Sequence, residues 1–279
     1  MQSNRKQENG FQNRLDLKTQ FGIDYHNNRD ANYTPFTPRP MINQSSEGAA
    51  SANNSNSLYW QEETYLTYVK DINKHHINAM AGMSWQEYNY TKFEASDSKY
   101  IDDFYGYYNL GSGTNRPSVG SDYDKWAMNS YFLRLAYSYD NKYMVTVTGR
   151  YDGSSKFGQN NKYAFFPSVG LGWMISNEDF LKDNSLISKL KLHTSYGVTG
   201  NSEIGTYKSL ATVSQSNTII GDALHVVSYL DNMPNPDLKW EKTGQWDLGF
   251  ELGLFNNRLN FDISYYYKYT SDLLLDRPV

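Results

Sequence analysis

Hydrophobic and polar residues alternate with a period of two along much of this chain. In residues 142–152 the apolar set is Tyr143, Val145, Val147 and Tyr151, and the intervening set is Lys142, Thr146, Thr148, Arg150 and Asp152. Successive side chains of a β-strand point to opposite faces, so this alternation predicts strands with one apolar and one polar face. Similar alternation predicts nine strands, in residues 14–25, 58–71, 75–90, 131–140, 142–152, 164–176, 188–198, 240–252 and 258–269.

The lengths of these segments indicate the class of β-protein. Several of them run for 11 residues or more. Strands of ordinary soluble domains are usually ~5–6 residues long, whereas a tilted strand that crosses a bilayer needs ~9–11 residues. The segments therefore favour an all-β fold in which antiparallel strands form a transmembrane β-barrel.

The connections between the predicted strands alternate between long and short. The long ones are 27–57, 91–122, 153–163 and 199–238, and the short ones are 72–74, 140–141, 177–187 and 256–257. Outer-membrane barrels show this alternation because their turns are short on one side and their loops long on the other. A further strand pair near Tyr207–Val213 and His225–Leu230 would preserve it and bring the total to eleven. Residues 43–57 and 111–121 are rich in Asn, Ser, Gly and Pro, which predicts loops there. The connection 177–187 is a candidate helical turn, with Ser176 or Asn177 as its cap.

The two faces lead to an orientation hypothesis for the last two strands. We expect one set to face lipid, namely Leu248, Phe250, Leu259, Phe261 and Ile263, with Trp240 and Trp246 on the same side. We expect the other set to face inward, namely Glu241, Asp247, Arg258 and Asp262. Mixed charges also mark other polar faces: Arg14, Asp16 and Lys18; Lys189, Lys191 and His193; Arg258, Asp262 and Lys268. Such faces suit either the solvated side of a soluble sheet or a water-filled lumen, and strand length favours the lumen.

The amino-acid composition is consistent with this fold and argues against several other classes of function. The formal net charge is −4, so no basic field points to nucleic acid, and the absence of cysteine excludes disulfides and cysteine-based metal sites. The 25 tyrosines, 13 phenylalanines and 6 tryptophans suit strands and membrane interfaces. Mean hydropathy is −0.72 and no apolar run approaches the ~20 residues of a transmembrane helix.

Candidate chemical motifs are weak. Neighbouring residues of a strand point apart, so His75 and His76 are not expected to chelate one metal ion, nor the carboxylates of Glu62-Glu63 or Asp102-Asp103 to act as a catalytic pair. Residues 111–116 lack the spacing of a phosphate-binding loop. We therefore expect no enzyme activity, no catalytic residue, no metal and no cofactor, and the sequence leaves the ligand-binding residues unidentified.

Four ordered blocks of sequence resemble the barrel of SusC/RagA-type TonB-dependent transporters. They are residues 150–180, with RYDGSSKF, NN, FPS, GW and EDF; residues 190–205, with LKLHTSYGVTGN and IG; residues 235–243, NPDLKWEKT; and residues 269–274, YTSDLL. His193 stands where the resemblance leads us to expect Arg. Gly153 is expected in a turn, Pro167 at a strand end or bulge, and Trp173 in an interfacial belt.

The resemblance implies that this chain is part of a larger transporter in the cell outer membrane. The family's barrel has 22 strands, so nine to eleven strands are about half, and residues 1–279 are expected to be an internal portion. A signal peptide, a plug domain, the TonB-contacting segment and C-terminal strands would then lie outside it. The implied function is TonB-dependent import of oligosaccharides or peptides with a SusD-like lipoprotein, in a lipid bilayer. The alternatives are a passive porin-like barrel and a soluble carbohydrate-binding β-sandwich.

Aromatic side chains in the long connections are the expected contacts for a substrate or partner. They are Tyr33, Phe36, Tyr105, Tyr107 and Tyr108. A tyrosine ring offers apolar area with a polar tip, which suits both sugars and peptides. The alternative is that these rings only pack the loops against one another.

Overall fold

The computed structural model of the chain describes residues 13–36, 47–182 and 184–275. Eleven β-strands occur in these residues. The first six are β1 (Asn13–Phe36), β2 (Glu47–Ile72), β3 (His75–Ser98), β4 (Ser118–Tyr139), β5 (Tyr143–Ser154) and β6 (Tyr163–Met174). The others are β7 (Ile187–Asn201), β8 (Thr212–Ile220), β9 (Ala223–Asn232), β10 (Glu241–Leu254) and β11 (Leu259–Ser271). Three short 3₁₀ helices accompany them, at Gly106–Tyr108, Leu110–Ser112 and Ile175–Asn177.

Nine of the strands form one sheet in the order β1-β2-β3-β4-β5-β6-β7-β10-β11, and β8 and β9 form a separate pair. Each strand of the large sheet therefore lies beside its neighbour in the chain, with the β8–β9 hairpin inserted between β7 and β10. The registers from β4 to β7, and those of β10 with β7 and β11, are antiparallel. The all-β antiparallel prediction and the total of nine to eleven strands are confirmed. The additional hairpin is also present, but β8 begins at Thr212 and overlaps the predicted Tyr207–Val213 only at its end.

The chain divides into two compact units. Among the described residues, the first contains those of 13–20, 62–85 and 128–275, and the second contains those of 21–36, 47–61 and 86–127. The first unit therefore holds β5 to β11 complete. The second unit holds parts of β1 to β4 and the connection 99–117 between β3 and β4.

Tight turns join β4 to β5 and β10 to β11. Asp140 and Asn141 have φ of 54° and 52°, and the Lys142 amide donates to the Tyr139 carbonyl at 2.9 Å. Two consecutive positive φ values are the signature of the type I′ hairpin turn, whose twist matches that of paired strands. The second turn is longer, and Phe255, Asn256 and Asn257 have φ of 53°, 58° and 58° in it. Asn and Asp tolerate this region better than other non-glycine residues, which explains their choice.

Several predicted boundaries are wrong. Residues 27–36, 47–57, 91–98 and 118–122 belong to strands although they were predicted as connections. Ladder hydrogen bonds use only the backbone, so polar sequence does not end a strand once a neighbour is available to pair with it. Residues 43–46 of the predicted loop 43–57 lie outside the described residues. The length alternation is also less strict than predicted, because connection 175–186 is longer than connection 155–162.

Three local expectations also need correction. The predicted helical turn in 177–187 lacks its expected cap: a 3₁₀ helix at Ile175–Asn177 without a side-chain cap precedes it, and the Lys182 amide then donates to the Glu178 carbonyl at 3.0 Å. Gly153 lies inside β5 instead of in a turn, and a Cβ there would come within 2.3 Å of the Tyr163 ring. Pro167 is paired with Gly149 inside β6, but the β6–β7 register begins only at Ser168. Proline is tolerated there because the pairing of β6 with β7 has not yet begun at this position.

Buried apolar residues are few among those described. They are Ala50 and Tyr100 in the second unit, and Phe157, Ala164, Phe166 and Trp240 in the first. Most large apolar side chains of the strands remain exposed on the sheet. Within the described ranges, no helix has the length and apolar character needed to cross a membrane.

Candidate functional site: the two faces of the sheet and its ends

One face of the sheet in the first unit is almost entirely apolar. Val147 lies opposite Leu135 on one side and Val169 on the other, and Phe250 lies opposite both Leu192 and Ile263. Directly paired residues share a face, so these registers join the strands into one surface, here named the apolar face. Its members include Leu133, Leu135, Val145, Val147, Val169, Leu171, Leu192, Leu248, Phe250, Phe261 and Ile263. Leu171 and Ile263 are 51% and 55% exposed, which shows that no other described residue covers this surface there.

Aromatic residues border the apolar face at both ends of the strands. Tyr143 and Trp173 stack near the short turns, with centroids 6.5 Å apart, and Tyr151 and Tyr163 stack at the other end of β5 at 5.0 Å. Tyr143 and Tyr151 are eight residues apart, which is about 27 Å along a strand and about 21 Å across a bilayer at a tilt of ~40°. This height is close to the ~25 Å apolar band of outer-membrane barrels, where aromatic girdles mark the two interfaces.

The opposite face of the same strands is polar, here named the polar face. Lys189 and Lys191 both donate to Glu251, at 2.5 and 3.0 Å. Arg150 donates through Nε to both oxygens of Asp152, at 2.7 and 2.9 Å, and further residues of this face are Arg134, Thr146, Thr148, Ser168, His193, Ser195, Asp247, Asp262 and Ser264. The predicted separation of the two sets in β10 and β11 is therefore present in the registers, with Ile263 and Asp262 on opposite faces. Arg258 differs from the prediction, because it lies in the turn before β11.

Trp240 does not join the apolar face as predicted. It precedes β10, is only 3% exposed, and packs with Phe157 at 4.7 Å and Phe166 at 5.4 Å between ring centroids. Its Nε1 donates to the Lys162 carbonyl at 3.0 Å. This cluster, here named the signature core, also contains Ala164, with Met128, Val198, Ile204, Leu238 and Leu274 packed against it.

Each of the four blocks of sequence that carry the family resemblance contributes residues to the signature core. The Gly158 amide donates to the Leu238 carbonyl at 3.0 Å, and Asn160 Nδ2 donates to Asp237 Oδ1 at 2.8 Å. A Cβ on Gly158 would lie 2.0 Å from the Pro236 carbonyl oxygen, so only glycine permits this approach. Segments 150–166 and 235–243 therefore close on each other, and these parts of the blocks have a structural role at this end of the sheet.

The other end of the strands is held by polar contacts around Glu178. Its Oε1 accepts from Tyr143 at 2.7 Å and from Trp173 Nε1 at 2.9 Å, and its Oε2 accepts from Lys142 at 3.1 Å. These three donors, led by the Tyr143 hydroxyl, lower the pKa of Glu178 to about 2. Asp140 beside Lys74 raises the pKa of that lysine through a hydrogen bond of 2.7 Å. Both interactions tie strand-connecting turns together.

The adjacent histidines and the adjacent aspartates contact different partners in the structure and do not form a shared site. His75 Nδ1 contacts the Tyr137 hydroxyl at 2.7 Å, whereas His76 Nδ1 contacts Asp71 at 2.5 Å. Asp102 and Asp103 lie in the 99–117 connection and accept hydrogen bonds from the Phe104 amide and from Tyr33 respectively. Among the described residues, no three His, Asp or Glu side chains are grouped to hold a metal ion.

The aromatic residues predicted to contact a substrate or partner do not all have the same role: some pack internally, and others are exposed. Tyr33 packs edge-on against the buried Tyr100, and its hydroxyl donates to Asp103, which is an internal role in the second unit. Tyr105 and Tyr108 are exposed, as is the neighbouring Phe104, and these rings offer apolar area to a partner. The side chain of Phe36 lies outside the described residues.

Comparisons with known proteins agree over nearly the whole chain. The family described as "TonB dependent receptor-like, beta-barrel" matches residues 2–279. TonB-dependent receptor P3 of Formosa agariphila is 36% identical over 265 residues, which are 95% of this chain and 26% of that protein. TonB-dependent receptor SusC of Bacteroides thetaiotaomicron is 34% identical over 221 residues, 75% of this chain and 21% of that protein.

Solved structures give the same result. The structure of the RagAB peptide transporter superposes with a TM-score of 0.85 at 32% identity, over 95% of this chain and 29% of that chain. Its "open-open" state gives a TM-score of 0.83 over the same fractions. This chain thus spans about a quarter of the length of the curated relatives it matches. With its antiparallel sheet, its two faces and these similarities, the chain belongs to the β-barrel family of TonB-dependent receptors and is of the SusC/RagA type.

Proposed function

We propose that this chain is part of the wall of an outer-membrane barrel that imports nutrients with energy delivered through TonB. The observation that carries the proposal is the apolar face, bordered by aromatic residues at both ends and backed by a charged polar face. Lipid solvates the apolar face and excludes water from it, whereas the polar face lines the lumen or contacts a plug.

The substrate is an oligosaccharide or a peptide, and a SusD-like lipoprotein works with the barrel. The similarity to a structure named a peptide transporter supports the peptide alternative, and the similarity to SusC supports the family's import function. The exposed rings of Phe104, Tyr105 and Tyr108 are the proposed contact with the lipoprotein. Transport of this kind requires binding and gating, and no bond of the substrate is broken.

Cysteine labelling tests the placement in the membrane. This chain contains no cysteine, so each substitution introduces a single thiol. Ile263→Cys places the thiol on the apolar face, and Asp262→Cys places it one residue away on the polar face. We expect Cys at 263 to react with a lipid-phase maleimide and Cys at 262 with a membrane-impermeant one. The reverse pattern would exclude the barrel orientation.

Uptake in cells tests the energy source and the partner. Deletion of TonB is expected to abolish uptake of the substrate, and the protein purified from outer membranes is expected to retain a lipoprotein. Uptake that survives without TonB, together with recovery of no lipoprotein, would favour a passive porin-like barrel instead.

A further inference from the structure

Three aromatic rings form a row across β2, β3 and β4 in the second unit, here named the aromatic row. Tyr88 and Trp126 stack with ring centroids 6.0 Å apart and an interplanar angle of 23°. Tyr59 and Trp126 are 6.1 Å apart and tilted by 45°. Rings that meet across the strands of a sheet project from one face, and all three residues keep part of their surface exposed. The aromatic row therefore offers ring faces to a ligand.

Polar side chains surround the aromatic row and show that its face meets water. The Tyr59 hydroxyl donates to Gln61 Oε1 at 2.9 Å. The opposite face of the same strands is different, because Trp60, the residue after Tyr59, stacks on Phe21 with centroids 6.3 Å apart. Aromatic rings set among hydrogen-bonding groups are typical of ligand sites, whereas rings that serve only as core are covered by other apolar groups.

Asp24 lies beside the β2 end of the aromatic row. A Cβ on Gly22 would lie 3.2 Å from Gln61 Cγ, so these two residues are neighbours across β1 and β2. The strands run antiparallel there, as a second contact further along shows, which places Asp24 next to Tyr59 on the same face. The Asp24 side chain is 61% exposed, and its contact is with His26 Nε2 at 3.1 Å. Its carboxylate is therefore accessible beside the first ring.

Asp124 lies at the β4 end of the row, two residues before Trp126 and on the same face. Its Oδ1 is buried and has no hydrogen-bond partner among the described residues. In the described part of the chain, neither Asp24 nor Asp124 forms an ion pair with a lysine or an arginine. Lys92 shares this face, but its Nζ is paired with Glu94 at 2.5 Å. Both ends of the row thus carry negative charge that no basic side chain compensates.

Ring faces and uncompensated carboxylates together select the class of ligand. The face of an aromatic ring is negative, so it attracts a cation placed over it, and nearby carboxylates add to that attraction. An anion would be repelled by both. A neutral group would gain apolar contact but nothing from the charges. A small metal ion is disfavoured, because it requires several oxygen ligands, and no such group of carboxylates exists among the described residues.

We infer that the aromatic row binds an organic cation, namely an ammonium or guanidinium group on an otherwise apolar stem. The cation lies over the faces of Tyr59 and Tyr88, with the exposed carboxylate of Asp24 beside it. Asp124 acts through its charge alone, since its buried Oδ1 cannot touch a ligand. As a selectivity site for an imported substrate, the row rests on the proposed import function. Binding itself does not, because it is measured on the protein without transport.

Calorimetry on the protein purified in detergent from its native membrane tests the inference. The matched peptide probes are alanine–lysine–alanine and alanine–norleucine–alanine, both acetylated and amidated so that only the lysine carries charge. The matched sugar probes are methyl glucosaminide and its neutral N-acetyl form. We expect a cationic probe to bind at least ~5-fold more tightly than its neutral counterpart, which is the order of one cation–π contact. The peptide pair and the sugar pair distinguish the two possible sources of the cation.

Substitutions on the two faces locate the binding. Tyr88→Leu removes a ring but keeps apolar bulk, and it is expected to weaken binding of the cationic probe about 5-fold. Its control is Phe21→Leu, which removes a 63% exposed ring from the opposite face and should leave the affinity unchanged. Asp24→Asn should weaken binding about 3-fold, as expected of an exposed charge pair. Its control is Glu87→Gln, which removes the same charge from the opposite face, where Glu87 pairs with Lys125 at 3.0 Å.

The Asp24 variant also guards against misfolding, because an exposed side chain can be changed without altering thermal unfolding. Equal affinities for the charged and neutral members of both probe pairs would overturn the inference. So would wild-type affinity in both the Tyr88 and Asp24 variants, or losses in the Phe21 and Glu87 controls that match theirs. TonB-independent uptake with intact cation binding would contradict the proposed function alone.

Discussion

The ring of Phe166 lies directly over Gly200. A Cβ built on Gly200 would come within 2.1 Å of Phe166 Cζ. This contact occurs beyond Ser168, where the β6–β7 register ends and β7 remains paired with β10 alone. The signature core occupies the region beyond that point, so the absence of a side chain at position 200 allows the core to form.

Gly200→Ala is therefore expected to destabilise the protein. The added methyl group must displace a buried ring, and overpacking of this kind costs about 1–3 kcal/mol. Gly170→Ala is the matched control in the same sheet, because its Cβ would meet only Ser195 Cβ, at 3.8 Å. Thermal unfolding in detergent measures both; equal midpoints for the two variants would refute the packing argument.

Trp240 is expected to contribute more stability than Trp246, although both belong to one block of alternating sequence. Trp240→Ala empties the centre of the signature core, for which a loss of about 3–5 kcal/mol is typical. Trp246 is 40% exposed on the apolar face, so Trp246→Ala should cost much less. Chemical unfolding of the two variants provides the comparison, and a larger loss for the Trp246 variant would contradict the assignment.

Arg introduced on the apolar face should be costly only if that face meets lipid. Ile263→Arg is expected to cost ~2–4 kcal/mol near the bilayer midplane. Asp262→Arg, one residue away, places the new cation on the polar face opposite Glu251 and should be tolerated. Folding yield into lipid vesicles measures the difference. Similar yields for the two variants would argue for a sheet with water on both sides.

Acid should weaken the contacts around Glu178. The pKa of this carboxyl falls from its ordinary 4.5 to about 2 in the folded protein, first because Tyr143 donates to it. A lowered folded pKa means that its contribution to stability is complete above pH 4.5 and is lost as pH falls from 4.5 through about 2. Glu178→Gln should therefore be less stable than the wild type at pH 6, with the difference shrinking in that window.

Asp179→Asn is the control for this pH dependence. The Asp179 side chain is 94% exposed and lies 3.8 Å from Lys142, so its interaction is weak and screened. Thermal unfolding midpoints of the three proteins, measured from pH 6 to pH 2, test the assignment. A wild-type to Glu178→Gln difference that stays constant across this range would show that the carboxylate charge does not stabilise the turn.

The alternation of apolar and polar residues was sufficient to predict most strands and their two faces. Val145, Val147, Leu248 and Ile263 carry this information locally, because a residue's face depends only on its position in the strand. The boundaries of β1 to β4 were not predictable in this way. Residues 27–36 and 118–122 are rich in polar residues, and they are strands because neighbouring backbone is present to pair with them.

The sequence by itself determined an antiparallel sheet with an apolar and a polar face, since period-two patterning is a property of the chain alone. Only the tertiary structure decided that Trp240 leaves the apolar pattern, because Phe157 lies far away in sequence and meets it at 4.7 Å. The same holds for the three donors that converge on Glu178. Such sites depend on which distant segments of the chain come together in the fold. The residues next to a given position in the sequence do not determine this.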